Sequence, residues 1–296
     1  MLRCPVCKSA VEEDCKEVYV ASYNQKEYKR YECEKCGLHW WEPLEISLDF
    51  YENEVLDYYA NLHNPSSFEL EENHKVFFRL FPKHVRGRLL DVGCGNGIFL
   101  KAAKEAGFEV WGIDFDIKSV ETAKKLLGVD TIYHMSLEEF YDKHKDVKFD
   151  VITMFEVLEH QDKPMEFINT VRNLLKEGGY IAGSVPNKDG EGTKIFNQKL
   201  YKGDFPPNHL LRFGHTSLAN YLKSAGFKIS KIEKFNYNLR GLLFLLECKF
   251  FGKKLQKTNT ANIIKLSKKL LLTPFILFCL PKILKKDCGT ILYFEA

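Results

Sequence analysis

The sequence has little that would place it in a membrane or in a repeat array. Its most apolar stretch, residues 270–281, holds only 12 uncharged residues and two prolines, whereas a helix needs about 20 to cross a bilayer. No apolar run follows the first basic residue, Arg3, which predicts no targeting signal and a cytoplasmic start. Internal repeats and low-complexity tracts are also lacking. With 45% hydrophobic residues, a chain of 296 is expected to form one large globular domain, alone or with a small module.

Cysteine content and charge narrow the class further. The nine cysteines are an odd number and nothing indicates secretion, so a disulfide framework is not expected. Residues 239–296 contain 11 lysines and arginines against 3 acidic residues, whereas residues 1–238 contain 32 against 37. Because the positive charge collects at the C-terminal end and not around the motifs described below, it does not favour a nucleic-acid partner.

Four of the cysteines form two Cys-x-x-Cys pairs near the N-terminus. The four are Cys4, Cys7, Cys33 and Cys36. Two alternating segments between the pairs, 17–23 and 27–31, predict a hairpin, and each pair can present two thiolates to one tetrahedral zinc ion. The pattern predicts a zinc ribbon over residues 1–43 with a structural Zn²⁺. A redox pair or unrelated free thiols are the alternatives, and Cys15 and His39 are spare candidates outside the paired positions.

A glycine-rich segment follows an apolar strand in the middle of the chain. Residues 89–97 read Leu-Leu-Asp-Val-Gly-Cys-Gly-Asn-Gly, so that Asp91 precedes three glycines at alternate positions. Glycine permits a sharp turn and lets a ligand approach main-chain NH groups at the start of the next helix. A dinucleotide fingerprint places its third glycine three residues after the second, whereas here the separation is two. The segment predicts a nucleotide-cofactor loop of another kind, with a plain glycine turn as the alternative.

Strands and helices alternate around this segment. We expect strands at residues 88–92, 109–113, 131–133, 150–154, 180–184, 227–235 and 290–294. We expect helices at residues 71–81, 98–106, 117–127, 165–175 and 217–225. This alternation predicts an α/β fold with βαβ units and a parallel sheet covered on both faces. In such a fold, ligands bind outside the carboxyl ends of the strands.

An acid ends the second strand of this sheet. Asp114 lies 23 residues after Asp91, where a carboxylate can accept hydrogen bonds from both vicinal hydroxyls of a ribose. An N-cap of the following helix is the alternative for Asp114, and Asp116 is the better candidate for that cap. Together with the glycine segment, the position of Asp114 predicts a cofactor that contains a ribose.

These residues carry a family resemblance. Asp-x-Gly-x-Gly-x-Gly at 91–97 resembles motif I of the class I S-adenosylmethionine methyltransferases, and so does Glu-Val-Leu-Glu-His at 156–160. The resemblance covers residues 70–236 and 289–296 and implies a Rossmann-like sheet of seven strands, with the motif I acid facing the cationic methionine end of S-adenosylmethionine. The cofactor contacts that it implies are Asp91, Gly93, Cys94, Gly95, Gly97, Asp114, Phe115, Ser136, Leu137, Phe155 and Glu156.

Three histidines are candidates for acid–base catalysis. Methyl transfer from a sulfonium depends mainly on alignment, and a base helps only when the acceptor must lose a proton. His209 is the first candidate, with His160 and His215 beside it, and a structural hydrogen bond or a helix cap is the alternative for each. Neither an Asn/Asp-Pro-Pro-Tyr/Phe motif nor a Pro-Cys pair follows the fourth strand. In this family, their lack disfavours methylation of exocyclic base amines and of cytosine C5.

Two segments lie outside the methyltransferase core. Residues 44–70 are acidic and aromatic and predict a helical linker. Tyr59 in this linker is a candidate lid over the cofactor, with core packing as the alternative. Residues 239–286 combine apolar and basic residues in an interfacial pattern. They predict a helical C-terminal insertion that either contacts the inner face of the membrane peripherally or packs on the core or on a second subunit.

The order of these parts suggests a function. A ribbon, a linker and a methyltransferase core (71–238 plus 287–296) resemble bacterial methyltransferases encoded among cell-surface polysaccharide and sugar-modifying enzymes. That resemblance implies a small-molecule, glycan or lipid-linked acceptor and a cytoplasmic enzyme. The alternatives are an RNA base methyltransferase that reads RNA through the ribbon, and a scaffold that binds the cofactor without catalysis. Residues 1–43 hold 7 basic and 8 acidic side chains, which speaks against phosphate contacts. The sequence does not predict the oligomeric state.

Overall fold

A small antiparallel sheet forms the N-terminal part of the protein in the computed structural model. The structure describes residues 1–12, 14–47, 50, 69–190, 205–235 and 291–296. The first three strands are β1 (Glu17–Val20), β2 (Glu27–Glu32) and β3 (His39–Glu42). β1 and β2 form the predicted hairpin, and β3 pairs with the other edge of β2. β3 was not predicted, although its Trp40 and Trp41 are fully buried.

The second sheet has seven strands and forms the main body. These are β4 (Gly87–Val92), β5 (Phe108–Asp114), β6 (Ile132–His134), β7 (Phe149–Phe155), β8 (Leu175–Pro186), β10 (Lys231–Phe235) and β11 (Ile291–Glu295). Their order across the sheet is β10-β11-β8-β7-β4-β5-β6. The five strands from β8 to β6 are parallel, and β11 runs antiparallel to both its neighbours. The predicted Rossmann-like α/β sheet of seven strands is confirmed.

Six helices accompany the strands in the described part of the chain. They are α1 (Glu72–Leu80), α2 (Ile98–Glu105), α3 (Ile117–Leu127), α4 (Leu137–Lys143), α5 (Pro164–Leu174) and α6 (His215–Ser224). Two clusters of buried apolar side chains, separated by the sheet, hold them in place. None of these helices combines the length and apolar character that crossing a bilayer requires.

Most boundaries agree with the predicted ones within two residues, because apolar periodicity and capping residues define them locally. Asp116 caps α3, as predicted, by accepting hydrogen bonds from the NH groups of Lys118 and Ser119. β8 is the main difference, since it begins at Leu175 and not at residue 180. The ladder continues through an irregularity opposite Phe149, and Gly178 there has a φ of +70°. In the sequence, the glycines at the start of β8 are typical of a turn, but in the structure they lie within a bulged strand.

A two-residue strand joins the N-terminal sheet to the main body. β9 (Leu211–Arg212) follows β8 in the chain but pairs with β3. The NH of Trp41 also donates to the carbonyl of Leu210 at 3.0 Å, and the side-chain amide of Asn220 donates to the carbonyl of Cys36 at 3.2 Å. The cysteines pack in the same apolar cluster as residues of α5 and α6. The ribbon and the main body therefore share one core.

Some predicted features lie outside the described residues. Most of the linker, including Tyr59, and the whole insertion at 239–286 are among them. The boundaries proposed for the domains stay predictions.

Two glycines with left-handed backbone give a test of the close packing of α2 on α3. Gly97 has a φ of +80°, and a Cβ there would lie 2.8 Å from the Cβ of Ala123 on α3. Gly128 has a φ of +61°, and a Cβ there would meet no atom within 4 Å. Gly128→Ala should lower the free energy of unfolding by about 1–2 kcal/mol, the cost of left-handed alanine. Gly97→Ala should lower it by a further ~1–3 kcal/mol through overpacking.

Urea denaturation of the two variants measures that difference, because the backbone strain is common to both. Equal losses of stability would contradict the close approach of α2 and α3 at this point. The double variant Gly97→Ala/Ala123→Gly should lose less stability than the sum of its two single variants, since it removes the opposing Cβ.

Candidate active site and metal centre

The glycine segment forms a tight loop between β4 and α2. Gly93, Gly95 and Gly97 have φ values of +74°, +51° and +80°, a region that side chains disfavour. A Cβ at Gly95 would meet no atom within 4 Å, whereas one at Gly93 would lie 2.9 Å from Cγ2 of Val157. The loop is therefore open on the side of Gly95, where a ligand can approach the main chain. On the other side it contacts the segment that follows β7.

The end of β5 holds the first half of this loop in place. The NH groups of Gly93 and Cys94 both donate to the carbonyl of Ile113, at 2.9 and 3.0 Å. The thiol of Cys94 lies below the loop, 2.8 Å from the position that a Cβ at Gly112 would occupy. Burial raises the pKa of this thiol well above its usual range. Cys94 therefore serves the loop as a buried packing residue.

Asp114 lies beside the loop at the carboxyl end of β5. Its Oδ2 accepts a hydrogen bond from the NH of Gly95 and its Oδ1 accepts one from the NH of Asp116, both at 2.8 Å. These two bonds fix the carboxylate against the loop. Burial is the main cause of a raised pKa for Asp114. Because each carboxylate oxygen has two lone pairs, both oxygens can accept further hydrogen bonds from a ligand.

Asp91 is the penultimate residue of β4 and is only 3% exposed. Its Oδ1 accepts a hydrogen bond of 2.7 Å from Oγ1 of Thr153, the residue beside it on β7. Burial raises the pKa of Asp91 well above its usual range, and the neighbouring charge of Asp114 adds to this. Two acids at the ends of adjacent strands produce a negative potential that a cationic ligand would relieve.

The other predicted cofactor residues occupy different environments. Phe115 is 62% exposed next to Asp114. Ser136 caps α4, where its hydroxyl accepts a hydrogen bond from the NH of Glu139, and Leu137 is buried in the core. The ring of Phe155 is buried against other aromatic side chains of α1 and α2. Phe115 follows the carboxyl end of β5, Ser136 and Leu137 follow that of β6, and Phe155 is the last residue of β7.

Glu156 has a backbone conformation that is rare for a side chain. Its φ is +56°, and its NH donates to the carbonyl of Ser184 on β8. Oε1 of Glu156 accepts a 2.7 Å hydrogen bond from the Ser184 hydroxyl, which in turn accepts one of 3.3 Å from the buried amide of Asn73. Strain of this kind is retained where the surroundings enforce it. Asn73 and Ser184 were not predicted, although a buried asparagine among the apolar residues of α1 is a usable signal.

Two of the three candidate histidines lie together at the carboxyl end of β7. His160 is the last residue of a short 3-10 turn (Leu158–His160), and its ring centroid is 4.8 Å from that of His209. Burial lowers the pKa of His160 to about 3. Nε2 of His209 lies 4.0 Å from Oε1 of Glu159. His215 begins α6, is exposed and does not belong to this group.

Glu159 was missed as a candidate, although it stands next to His160 in the Glu-Val-Leu-Glu-His segment. It is 1% exposed, and burying an acid requires compensation by partners or by a cation. Glu159, His160 and His209 each offer one ligand atom, and these atoms lie within 4.8 Å of one another. The turn after β7 and the segment before β9 together form this group.

The four paired cysteines converge in the N-terminal sheet. Sγ of Cys4 lies 3.5 Å from Sγ of Cys36, and the same distance separates Cys7 from Cys33. All four sulfur atoms lie within 4.8 Å of one another. Tetrahedral zinc with Zn–S bonds of about 2.3 Å requires sulfur atoms about 3.8 Å apart, so the four thiols fit the ion.

The two turns that present these thiols have the same geometry. Lys8 and Gly37 each stand four residues after the first cysteine of their pair and have φ values of +57° and +75°. Each donates its NH to the carbonyl of that first cysteine. The hydrogen bond between Cys4 and Cys36 lowers the pKa of Cys4 and raises that of Cys36, so it favours one thiolate in this pair. Cys15 and His39 do not belong to this cluster.

Comparisons with known proteins agree with this fold. A family model described as a methyltransferase domain matches residues 67–232. A ubiquinone biosynthesis O-methyltransferase of Saccharophagus degradans is 33% identical over 162 residues, which cover 51% of this chain and 67% of that protein.

Two solved structures have the same fold. An S-adenosylmethionine-dependent methyltransferase from Archaeoglobus fulgidus gives a TM-score of 0.50 at 21% identity, covering 75% of this chain and 91% of that one. A chain from the complex of the Haloferax volcanii Trm112 methyltransferase activator with a methyltransferase gives 0.55 at 14% identity, covering 82% and 95%. The chain belongs to the methyltransferase-domain family and is an S-adenosylmethionine-dependent methyltransferase.

Proposed function

We propose that the protein transfers a methyl group from S-adenosylmethionine to a hydroxyl oxygen of a small molecule. The observation that carries this proposal is the group of Glu159, His160 and His209 at the carboxyl end of β7. A hydroxyl must lose its proton on methylation, so a basic group beside the cofactor assists that acceptor. The curated relative named above is an O-methyltransferase, which supports an oxygen acceptor.

The loop and the two acids provide the cofactor contacts in this proposal. Asp114 accepts hydrogen bonds from the ribose hydroxyls, and the buried charge of Asp91 faces the ammonium and sulfonium end. Gly93, Gly95 and Gly97 leave room for the cofactor at the main chain. Contacts from Cys94, Phe115, Ser136, Leu137, Phe155, Glu156 and Tyr59 are proposed as well, on the family resemblance.

The chemical step itself is a displacement. A lone pair of the acceptor oxygen forms the O–CH₃ bond, while the S–CH₃ bond breaks and its electron pair stays on sulfur, which becomes neutral. The proton of the hydroxyl leaves to a base. Alignment of oxygen, methyl carbon and sulfur accounts for most of the acceleration.

The acceptor class proposed from the sequence is a glycan or lipid-linked precursor in cell-surface polysaccharide or secondary metabolite biosynthesis. The basic and apolar residues 239–286 would hold the enzyme at the inner membrane face, near such an acceptor. The full chain should therefore float together with anionic vesicles, and deletion of residues 239–286 should abolish this binding. An RNA acceptor is the alternative. The acidic excess of residues 1–43 weighs against RNA.

A structural Zn²⁺ in the N-terminal sheet is the second part of the proposal. Zinc would bind the thiolates of Cys4, Cys7, Cys33 and Cys36 and supply folding free energy in a sheet too small to be stable alone. Since β3 of this sheet pairs with β9, the ion would also stabilise the segment that carries His209.

Replacing Asp114 tests the ribose assignment, and Asp116 offers a matched control. Asp114→Asn should weaken the affinity for S-adenosylhomocysteine by roughly 10- to 100-fold, because hydrogen bonds to a charged acceptor contribute about 1.5–3 kcal/mol each. Asp116→Ala removes only the cap of α3 and should leave the affinity within about threefold while costing ~1 kcal/mol of stability. Isothermal titration calorimetry measures both affinities. Equal affinities of wild type and Asp114→Asn would refute the assignment.

Replacing one cysteine tests the zinc ion. Cys36→Ser should lose one equivalent of zinc and lower the melting temperature by roughly 5 °C or more. Cys15→Ser, which alters a cysteine outside the cluster, should lose neither. Elemental analysis and calorimetry give the two quantities. Retention of the full zinc content by Cys36→Ser would show that these thiols do not bind the ion.

The acceptor class can be tested with labelled S-adenosylmethionine. The purified enzyme is incubated with total RNA, with small-molecule and nucleotide-sugar extracts, and with lipid extracts. We expect label in a small molecule, glycan or lipid fraction, as an alkali-stable methyl ether. Efficient labelling of RNA would contradict the proposal in favour of the alternative, and labelling of none of these fractions would contradict all of the acceptor classes named here.

A further inference from the structure

Glu159, His160 and His209 are connected by the backbone as well as by their side chains. The NH of Leu210 donates to the carbonyl of Glu159 at 2.9 Å. The carbonyl of Asn208 lies 2.7 Å from Nδ1 of His160. The residues on both sides of His209 therefore bond to the turn that carries Glu159 and His160. This arrangement fixes the separation of the three side chains more closely than two independent loops could.

The hydrogen bond at Nδ1 also orients the imidazole of His160. A backbone carbonyl is an acceptor only, so Nδ1 of His160 donates to the carbonyl of Asn208. Histidines that bind metal ions almost always donate one ring N–H to a carboxylate, a backbone carbonyl or water, which fixes the tautomer and the ring.

The spacing of the ligand atoms suits an ion between them. Nε2 of His209 and Oε1 of Glu159 are 4.0 Å apart, longer than a hydrogen bond. A cation with bonds of about 2.1 Å to nitrogen and oxygen fits between these atoms without displacing either. The third ligand atom lies within 4.8 Å of both, so the widest pair would close by roughly 0.6 Å on binding.

The charge and burial of the group also suit a bound cation. The side chain of Glu159 is 1% exposed and that of His209 is 12% exposed. With two neutral imidazoles and one carboxylate as its ligands, a bound divalent ion would leave the site with one positive charge. Two histidines and one carboxylate are the ligands of first-row divalent ions that keep open coordination positions for a substrate.

We propose that Glu159, His160 and His209 bind a first-row divalent cation such as Zn²⁺, and that an open position of this ion takes the acceptor's hydroxyl oxygen. The second half of this statement rests on the proposed O-methyl transfer, and the first half does not. His209 is then a metal ligand, and the ion replaces it as the group that acidifies the hydroxyl.

The step balances with the ion in place. The bound hydroxyl releases its proton to water, and the resulting alkoxide neutralises the remaining positive charge of the site. An alkoxide lone pair then forms the O–CH₃ bond as the S–CH₃ electron pair returns to sulfur. The ion is neither oxidised nor reduced, so the step needs no further reactant.

Zinc content tests the site, because the cysteine cluster supplies an internal reference. After dialysis against micromolar Zn²⁺ and gel filtration, the wild-type chain should retain about two equivalents of zinc by elemental analysis. Glu159→Gln and His209→Ala should each retain one. His84→Ala, which alters an exposed histidine between α1 and β4, should retain two and controls for adventitious binding.

Folding of the variants is checked independently by their affinity for S-adenosylhomocysteine, which should stay within about threefold of wild type. Should Glu159→Gln fail to fold, His209→Ala still tests the site, because the side chain of His209 is more exposed than that of Glu159. A wild-type chain with one zinc, or variants with as much zinc as wild type, would overturn the metal site.

Methyl transfer separates this inference from the proposed function. We expect a hydroxyl acceptor to be methylated at least 100-fold more slowly by the variants that have lost the second zinc. Efficient transfer by a chain with one zinc, abolished in His209→Ala, would refute the ion and leave His209 as a general base. Two zinc ions without transfer to any hydroxyl would leave the metal site standing and refute O-methylation.

Discussion

Parallel pairing of β4 with β5 and β7 is the constraint on which the active site depends. Each of these strands enters the sheet from the same side, so the residues that follow their carboxyl ends meet at one edge. The register places Asp91 of β4 beside Gly112 and Thr153, and the Thr153 hydroxyl donates to the buried carboxylate. Asp114, two positions beyond Gly112, reaches the NH of Gly95. The loop, the two acids and Glu156 are brought together by strand pairing alone, before any ligand is bound.

A second strand pairing brings the His209 segment to this edge of the sheet. β9 adds to β3 of the N-terminal sheet, and the residue before it, Leu210, bonds to Trp41 on one side and to Glu159 on the other. The small sheet thus holds the His209 segment against the turn after β7. An acidic module near the N-terminus gains a structural role in the active site, which explains why it belongs to this methyltransferase without requiring that it bind RNA. Zinc in the cysteine cluster would make that support rigid.

Buried negative charge is the common feature of the two halves of the site. Burial raises the pKa of Asp91 and of Asp114, and Glu159 is almost fully buried beside two imidazoles. A carboxylate in such surroundings is unfavourable unless a cation or several donors compensate it. In the cofactor half, the cationic methionine end of S-adenosylmethionine is the proposed compensation. In the acceptor half, the proposed divalent ion would have the same effect, so each half would gain stability when its ligand binds.

The sequence by itself determined the α/β class through hydrophobic periodicity, and its glycine segment and acids at strand ends predicted a cofactor that contains a ribose, because these are local signals. Asp116 as the cap of α3 and the hairpin of β1 and β2 were predictable for the same reason. The seven-stranded sheet and S-adenosylmethionine were implied by the family resemblance of the same glycine segment and acids. β3, β9, the grouping of Glu159 with His160 and His209, and the contact of Asn73 with Ser184 were decided by the tertiary structure. A two-residue strand has no periodicity, and side chains 49 residues apart, such as His160 and His209, meet only after both sheets have formed. Such contacts are stabilised by strand pairing and side-chain burial between segments that are distant in the sequence, so no single segment predicts them.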